Sequence, residues 1–359
     1  MKIVALDLGK SKMVGCMYET LTHEHRFDSA PLDRGTLRTV LEAERPDRVV
    51  IEIGSTAGWV GDVVRAHGAE LEVANPSHQG WRWRNVKKKT DRMDALKLAQ
   101  LSATNQLPKV HLPEVGVRQW RGLIHYRHHQ VRRRTAIKNR IRAILNSEGI
   151  DMAEGKRGWG KQQLQTVRQM ARPWEDVDPQ ELWRGALSEE LAQYDRVAEC
   201  IVRVEKKLDE LAASDARVKL LRTIPGVGPR LAEAVVAIID DPHRFKRGKQ
   251  VGSYCGLVPR QFQSGAMDRH GRITGAGDRM LRALLVEVSW IALRYNPWAL
   301  ATFDRICQGK KGRRKTAIIA VARRLVVRCW AMLRDHTAWS PPACVEAVED
   351  RAGCRSSRG

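Results

Sequence analysis

The first hundred residues alternate between short apolar runs and segments whose apolar positions recur at helical spacing. The apolar runs are typical of buried strands, and the run at 13–18 predicts a hairpin partner for the first of them. We therefore predict strands at 3–8, 13–18, 48–53 and 71–74, and helices at 37–44, 59–67 and from about 91 to 101. Strands that alternate with helices favour an α/β domain.

Beyond residue 114 the apolar spacing is mostly helical. Residues 114–150 predict a cationic helix with an apolar face. Apolar residues from Leu187 to Leu211 recur at threes and fours, which indicates a long amphipathic helix with a coiled-coil-like seam. That seam forms either a dimer interface or an intramolecular hairpin with 114–150. Further helices are predicted at 230–239, 280–288 and 317–333, so the fold class is α/β plus α.

Four acidic residues stand out against this pattern. Asp7 and Glu52 each interrupt an apolar strand, where an unpaired buried carboxylate would cost several kcal/mol. Asp91 and Asp94 are three residues apart, so they share one face if the segment is helical. Oxygen ligands of this kind suit Mg²⁺, although acids in the first turn of a helix also complement its dipole and need no metal.

The composition adds a partner class. The 359 residues include 63 Lys and Arg against 41 Asp and Glu, a formal net charge of +22. Such an excess, spread along the chain, indicates a polyanionic partner such as nucleic acid, the alternative being a merely soluble basic protein. Seven scattered cysteines without a CxxC pair favour a reduced, cytosolic protein. We expect no membrane span, because no apolar run reaches about 18 residues, and no signal peptide.

Basic clusters along the chain are candidates for contacts to phosphates. They are Lys87, Lys88 and Lys89; Arg132, Arg133 and Arg134; and Lys310, Lys311, Arg313 and Arg314. Near the second cluster, His125, His128 and His129 form an HxxHH group. Either it binds metal or, as we prefer without another ligand nearby, it contacts phosphate or is plain surface.

A glycine-containing turn joins two predicted helices at 223–229. Its sequence resembles a helix-hairpin-helix turn, in which Gly226 and Gly228 would let backbone N–H groups approach a phosphate. An ordinary helical hairpin with a glycine cap is the alternative.

A glycine- and arginine-rich loop is predicted after residue 256. It contains Ser264, whose hydroxyl would meet a phosphate held by neighbouring arginines, although Ser-Gly is most often only a turn. The arginines are Arg260, Arg269, Arg272 and Arg279.

Several motifs, taken in order, carry a family resemblance over residues 3–333. They are Ala5-Leu6-Asp7-Leu8-Gly9-Lys10, Val50-Ile51-Glu52, Asn75-Pro76, Thr90-Asp91-Arg92-Met93-Asp94, Ile224-Pro225-Gly226-Val227-Gly228, Gly256-Leu257-Val258-Pro259-Arg260, Ser264-Gly265 and Gly275-Ala276-Gly277-Asp278. The chain resembles the IS110/IS1111 insertion-sequence transposases, the DEDD transposases. The joint order of these motifs is specific, whereas each alone is weak.

The resemblance implies a domain plan and a catalytic site. It implies an RuvC-like (RNase H-like) DEDD domain at 1–113, a helical coiled-coil region at 114–217, a transposase domain with a catalytic serine at 218–339, and a disordered tail at 340–359. Asp7, Glu52, Asp91 and Asp94 match the four acids, which would bind Mg²⁺ or Mn²⁺. Ser264 matches the nucleophilic serine, and Ser253 is a weaker candidate because it precedes Gly-Leu-x-Pro.

The expected activity is excision and insertion of a mobile element, a site-specific DNA recombination. The resemblance implies double-stranded DNA and a noncoding guide RNA as partners, and a homodimer or homotetramer located in the prokaryotic cytosol with the nucleoid. One alternative is an RuvC-like metal-dependent structure-specific nuclease that activates water. The other is a noncatalytic nucleic-acid-binding protein whose acids are structural.

Overall fold

The computed structural model describes residues 1–76, 90–155, 157–264 and 267–341, without the side chain of His270. Those residues form two compact units, one from Met1 to Gln119 and one beginning at Trp120. The first is mixed α/β and the second is mostly helical, which confirms the predicted fold class. The finer division at 113, 217 and 339 stays a prediction.

A five-stranded sheet forms the centre of the first unit. Its strands are β1 (Lys2–Leu8), β2 (Lys12–Glu19), β3 (His25–Pro31), β4 (Arg48–Glu52) and β5 (Glu70–Ala74). They lie in the order β3-β2-β1-β4-β5. β1, β2 and β3 pair antiparallel, whereas β1, β4 and β5 pair parallel. The sequence did not predict β3, because its side chains are mostly exposed and show no apolar alternation.

Three helices cover the two faces of this sheet: α1 (Arg34–Glu44), α2 (Ala57–His67) and α3 (Asp91–Ala103). α1 and α2 pack on the face that carries Leu6 and Ile51. α3 packs on the opposite face, where its Leu98 contributes to a core with Ala5 and Val50. The predicted helices at 37–44, 59–67 and 91–101 are therefore confirmed, each with a buried apolar side.

The remaining described chain contains nine helices and one pair of strands. The helices are α4 (Val115–Ser147), α5 (Lys161–Met170), α6 (Trp183–Ser214), α7 (Ala216–Leu221), α8 (Pro229–Ile239), α9 (Gly248–Tyr254), α10 (Arg279–Tyr295), α11 (Pro297–Cys307) and α12 (Arg314–Asp335). Strands β6 (Pro259–Ser264) and β7 (Met267–Ile273) pair antiparallel. Short 3-10 turns lie at Arg157–Trp159, Trp174–Asp176, Pro242–Arg244 and Lys311–Arg313.

The long amphipathic helix α6 packs within its own chain. Leu187, Leu191 and Ile201 of α6 share a core with Ile137 and Ile141 of α4. The Arg127 side chain of α4 also donates to Glu205 Oε1 of α6, at 2.8 Å from Nε. Of the two arrangements left open by the sequence, the structure therefore has the intramolecular hairpin.

α8 is the centre of the C-terminal core. Every residue from Leu231 to Ile239 is buried, and α8 packs against α7, α10 and α12. A helix that is buried on all sides requires cover on all sides, which these neighbours supply.

The glycine- and arginine-rich segment is not the loop that the sequence predicted. Pro259–Ser264 and Met267–Ile273 instead form the paired strands β6 and β7. All six side chains of β6 are exposed, so the strand has no buried face and no apolar alternation to reveal it. Backbone pairing to β7 defines it. Most of the predicted disordered tail, from residue 342, lies outside the described residues.

Candidate functional site

Asp7 and Glu52 lie on neighbouring strands at the same end of the sheet. β1 and β4 run parallel, with Leu6 opposite Ile51, so the next residues along each strand are Asp7 and Glu52. Side chains alternate between the faces of a strand. Since Ala5 and Val50 face α3, Asp7 and Glu52 lie on that same face.

α3 runs in the direction opposite to β1 and β4. At its carboxyl end, Ser102 Oγ donates to Glu72 Oε2 at 2.8 Å, and Arg48 Nη1 donates to Ser102 Oγ at 3.2 Å, beside the start of β4. At its amino end, Lys12 Nζ lies 3.6 Å from Asp91 Oδ2, beside the end of β1. The first turn of α3 is therefore at the end of the sheet that carries Asp7 and Glu52.

Asp91 and Asp94 occupy that first turn. Thr90 has an extended backbone and its hydroxyl accepts from Met93 N at 3.4 Å, so the helix starts at Asp91. Asp94 is only 7% exposed, and Leu98 one turn later packs on the sheet. Asp94 thus faces the sheet, whereas Asp91 is exposed and paired with Lys12. The dipole of α3 also favours carboxylates at this terminus.

The chemistry of the four carboxylates suits a hard divalent cation. Oxygen donors from two strand ends and one helix turn are the ligands that Mg²⁺ and Mn²⁺ take. Within the described residues, however, no three His, Cys, Asp or Glu side chains are grouped closely enough to hold a metal ion. The backbone thus brings all four acids to one end of the sheet, while their carboxylates are not grouped closely enough to hold a metal ion.

Glu72 holds the carboxyl end of α3, and sequence reasoning missed it. It is 2% exposed on β5 and makes ion pairs with Lys109 and with Arg48, whose Nη1 is 3.4 Å away. Its hydrogen bond from Ser102 fixes the carboxyl end of α3. The available signal was that Glu72 is a lone acid within the predicted strand 71–74. Its partner Ser102 on α3 is 30 residues away in the chain.

Ser264 is the last residue of β6, in the second unit. It pairs with Met267 of β7 and is exposed, so it is open to a large partner. Arg260, Arg269 and Arg272 are exposed on the same hairpin. Residues 265 and 266 lie outside the described residues, as do Lys87, Lys88 and Lys89.

The other predicted phosphate contacts lie on helices of the second unit. Arg132, Arg133 and Arg134 follow one another on α4, where Arg134 is half-buried. Arg279 is exposed at the start of α10, and Lys310, Lys311, Arg313 and Arg314 are exposed before and at the start of α12. These positions are accessible to nucleic acid.

The two glycines of the predicted helix-hairpin-helix turn differ in their surroundings. Gly226 has φ +88°, and a Cβ there would lie 3.0 Å from the Cα of Ala292 in α10. Packing and backbone conformation therefore explain why position 226 is a glycine. Gly228 precedes Pro229 at the start of α8 and has open space around it.

Two family models match this chain. One, described as a transposase of the DEDD type found in IS110, matches residues 4–149, which include all four acids. The other, described as the transposase IS116/IS110/IS902 family, matches residues 218–304, which include Ser264. Together they span more than half of the chain.

Similar proteins agree with this match. A probable family 20 transposase of Pseudomonas aeruginosa is 27% identical over 349 residues, which is 95% of this chain and 100% of the relative. The chain belongs to the IS116/IS110/IS902 family of transposases. The transposase for insertion sequence element IS1111A of Coxiella burnetii is 29% identical over 68% of this chain and 66% of its own length. A pilin gene-inverting protein of Moraxella lacunata is 31% identical over 33% of this chain and 38% of its own length.

This membership establishes the enzyme class. The protein is a DNA transposase of an insertion sequence, and DNA is its substrate. The +22 charge and the exposed arginines suit that substrate. Among the described residues, no helix is long and apolar enough to cross a membrane.

Proposed function

We propose that this transposase is a site-specific recombinase that uses Ser264 as its nucleophile and Asp7, Glu52, Asp91 and Asp94 as ligands of Mg²⁺ or Mn²⁺. The observation that carries the metal site is the convergence of the four acids at the end of the sheet where α3 begins. The exposure of Ser264 at the end of β6 supports its access to a DNA backbone.

We further propose that the first unit is RuvC-like (RNase H-like). The support is its strand order β3-β2-β1-β4-β5, with three antiparallel strands followed by two parallel ones. The acids at the ends of β1 and β4 and in the first turn of α3 fit a metal-dependent phosphodiester site in such a domain. Bound metal would supply electrostatic stabilisation of the charge that develops on the phosphate oxygens.

In the proposed chemical step, Ser264 Oγ attacks a DNA phosphorus atom. The new Oγ–P bond replaces the bond between that phosphorus and the leaving deoxyribose oxygen. The serine loses its hydroxyl proton to a base, and the leaving oxygen takes up a proton. A hydroxyl of another DNA end then attacks the phosphoserine, releasing Ser264 and joining the new strand. Because the phosphodiester energy stays in the covalent link, rejoining needs no external energy source.

A noncoding RNA of the element is the proposed source of sequence choice. Base pairing would select donor and target DNA, while the protein holds the backbones through arginine and lysine. Since recombination requires several strand cuts, we propose that a homodimer or homotetramer assembles the active sites. The similarity to a protein named as gene-inverting supports recombination as the reaction class.

The alternative function is metal-dependent hydrolysis by an RuvC-like nuclease without a covalent intermediate. The acid site alone would serve that reaction as well as the proposed one, because metal-bound carboxylates equally support attack by water. The two functions differ at Ser264, which the nuclease does not need.

The deciding experiment compares Ser264→Ala with Gln263→Ala in a recombination assay with copurified RNA and Mg²⁺. Gln263 is the adjacent residue of β6 and equally exposed, so its variant controls for damage to the hairpin. Denatured reactions are run on gels to detect a covalent protein–DNA adduct.

We expect Ser264→Ala to lose both recombination and the adduct while Gln263→Ala keeps both. If Ser264→Ala still recombines and still forms the adduct, the nucleophile assignment is wrong. Hydrolysed DNA that depends on Mg²⁺, without an adduct in the unmodified protein, would instead establish the nuclease.

A further inference from the structure

A large cleft lies between α9, α11 and α12 of the second unit. Its volume is about 1010 Å³. Gly248 and Gly252 of α9 form one wall, Trp298 and Thr302 of α11 lie on another, and the carboxyl half of α12 closes the third. None of the acids and neither Ser264 nor its hairpin arginines line it.

Glycines of α9 give this cleft its shape. A Cβ at Gly248 would lie 2.7 Å from Val327 Cγ1, and one at Gly252 would lie 3.2 Å from Arg323 Cγ, both on α12. Since the two glycines are four residues apart, they lie on one face of α9. α9 and α12 therefore approach closely at the base of the cleft, and the aliphatic part of Arg323 passes over α9.

The cleft is lined by cations and by no acid. The five cations are Lys249, Arg305, Arg323, Arg324 and Arg328. Within the described part of the chain, none of the five makes an ion pair or a side-chain hydrogen bond. Burial, together with the charges of Arg305 and Arg323, lowers the pKa of Arg324. Like charges held together without counter-charges cost free energy, which an anionic ligand would recover.

Some other arginines of the same unit are neutralised by acids. Arg168 binds Asp195 with two hydrogen bonds of 2.8 and 2.6 Å, and Arg217 and Asp215 pair at 2.8 Å. Unlike these two arginines, the five cations of the cleft are gathered in one place whose lining contains no acid.

The cleft also has an apolar floor. Trp298, Val258 and Val327 contribute carbon surface, and Ala301 and Ala331 leave room above it. The hydroxyls of Ser253 and Thr302 add hydrogen-bonding groups. Cations around an apolar floor match a ligand with charged phosphates and flat, uncharged bases.

We propose that this cleft binds a single-stranded segment of nucleic acid, with its phosphates on the five cations and an unpaired base on the apolar floor. This proposal rests on the proposed function in one respect, namely that the transposase binds nucleic acid with unpaired strands. It requires neither Ser264 nor the metal site.

The size of the cleft selects among anions. A drug-sized ligand fills a pocket of about 300–1,000 Å³, so this cleft takes a few nucleotides and is far larger than one phosphate. A duplex offers its bases only within grooves, so it would leave the apolar floor uncovered. Unpaired RNA and unpaired DNA share the required chemistry, and the experiment distinguishes them.

The test measures binding of fluorescein-labelled oligothymidylate, oligouridylate and a duplex, each of about twelve nucleotides per strand, a length within the range of single-strand sites. Fluorescence anisotropy of the full chain is recorded in EDTA over a range of salt concentrations. The cleft variant is Arg323→Gln, Arg324→Gln and Arg328→Gln combined. The matched control replaces exposed Arg196, Arg203 and Lys206 of α6 by Gln, which removes the same charge.

We expect the cleft variant to bind one or both single strands about tenfold more weakly or worse, with a salt slope smaller by about 2, since each lost phosphate contact contributes about 0.7. The control variant keeps the slope within about one contact. If the affinity for oligouridylate falls more, the natural ligand is RNA, and if the affinity for oligothymidylate falls more, it is DNA. Equal losses of affinity show that the cleft binds both kinds of single strand.

A second variant tests the shape of the site without changing charge. Ala301→Phe fills the space over the floor, and Ala301 is only half-buried, so the substitution is compatible with folding. We expect it to weaken single-strand binding and leave duplex binding unchanged. Equal losses in the cleft and control variants, or equal losses for duplex and single strands, would overturn the proposal. If Ser264→Ala loses recombination but binds single strands with normal affinity, the cleft and the nucleophile are tested independently of each other.

Discussion

The imidazole of His125 lies 2.8 Å from the carboxylate of Asp278, measured from Nε2 to Oδ2. This contact joins α4 to the start of α10, because the other oxygen of Asp278 accepts from Leu281 N at 2.8 Å and caps that helix. His125 belongs to the HxxHH group for which the sequence left metal, phosphate or plain surface open. The structure gives it a carboxylate partner instead.

We predict that Asp278→Ala lowers the free energy of unfolding by about 1 kcal/mol, since an aspartate cap is worth roughly that much. Asp278→Asn retains a capping oxygen and should recover most of the loss. His125→Ala should have a smaller effect, because the histidine is 46% exposed and water screens the pair. Urea unfolding of the three variants measures this order, and a larger loss for His125→Ala would contradict it.

The proposed metal site predicts stabilisation of the protein by Mn²⁺ or Mg²⁺. At a metal concentration about a hundred times Kd, binding adds about 2.7 kcal/mol to the free energy of unfolding. Thermal unfolding with and without metal should show this for the unmodified chain. Asp7→Asn, Glu52→Gln and Asp94→Asn should each abolish most of the metal effect and recombination.

Glu42→Gln is the matched control for those variants. Glu42 is exposed on α1, away from the face that α3 covers, so it should keep both the metal effect and recombination. If Asp94→Asn responds to metal as strongly as Glu42→Gln does, Asp94 is not a ligand.

Glu233 predicts a pH-dependent stability of the second unit. It is 1% exposed on α8, with Oε1 3.1 Å from Arg230 Nη1. Burial raises the pKa of Glu233 to about 7, which the charge of Arg230 only partly opposes. The folded protein therefore keeps this proton to a higher pH than the unfolded chain does.

Stability should accordingly fall as pH rises from the ordinary glutamate pKa of about 4.5 towards and past 7, by an amount on the order of 3 kcal/mol. Glu233→Gln should remove this fall. Glu199→Gln should retain it, because Glu199 is 71% exposed. Urea unfolding across that pH window measures the slope, and identical slopes for the two variants would disprove the assignment.

Gly226 and Gly228 form a natural pair for comparison. Gly226→Ala introduces a Cβ at φ +88° and 3.0 Å from the backbone of Ala292, so we expect a loss of about 2 kcal/mol. Gly228→Ala meets no atom within 4 Å at φ −88°, and its cost should be within about 0.5 kcal/mol. Thermal unfolding of the two variants tests this, and similar losses would show that packing on α10 does not explain Gly226.

Much of the fold could be predicted from the sequence, because burial leaves a local signature. Strands with buried apolar residues and helices with an apolar side appeared at the predicted places, among them β1, β4, α3 and α8. β3 and β6 escaped prediction for the opposite reason. Their side chains are largely exposed, so their pairing partners define them and their own residues do not.

The candidate site divides in the same way. Asp7, Glu52, Asp91 and Asp94 were recognised as acids in a strand-and-helix pattern and by family resemblance. The direction of α3 was not recognisable, and the hydrogen bond between Ser102 and Glu72 marks where its carboxyl end lies. The cationic cleft was equally hidden, because its wall on α9, with Lys249, is distant in the chain from the arginines of α11 and α12.

By itself, the sequence determined the strands and helices that bury an apolar side, which residues are candidates for the chemistry, and that the partner is a polyanion. Periodicity and charge are properties of each segment, so they can be seen without the fold. Only the tertiary structure decided that α3 turns Asp94 towards β1 and β4, that Gly226 packs on Ala292, and that five cations surround one cleft. Those relationships join residues distant in the chain, and packing between elements creates them.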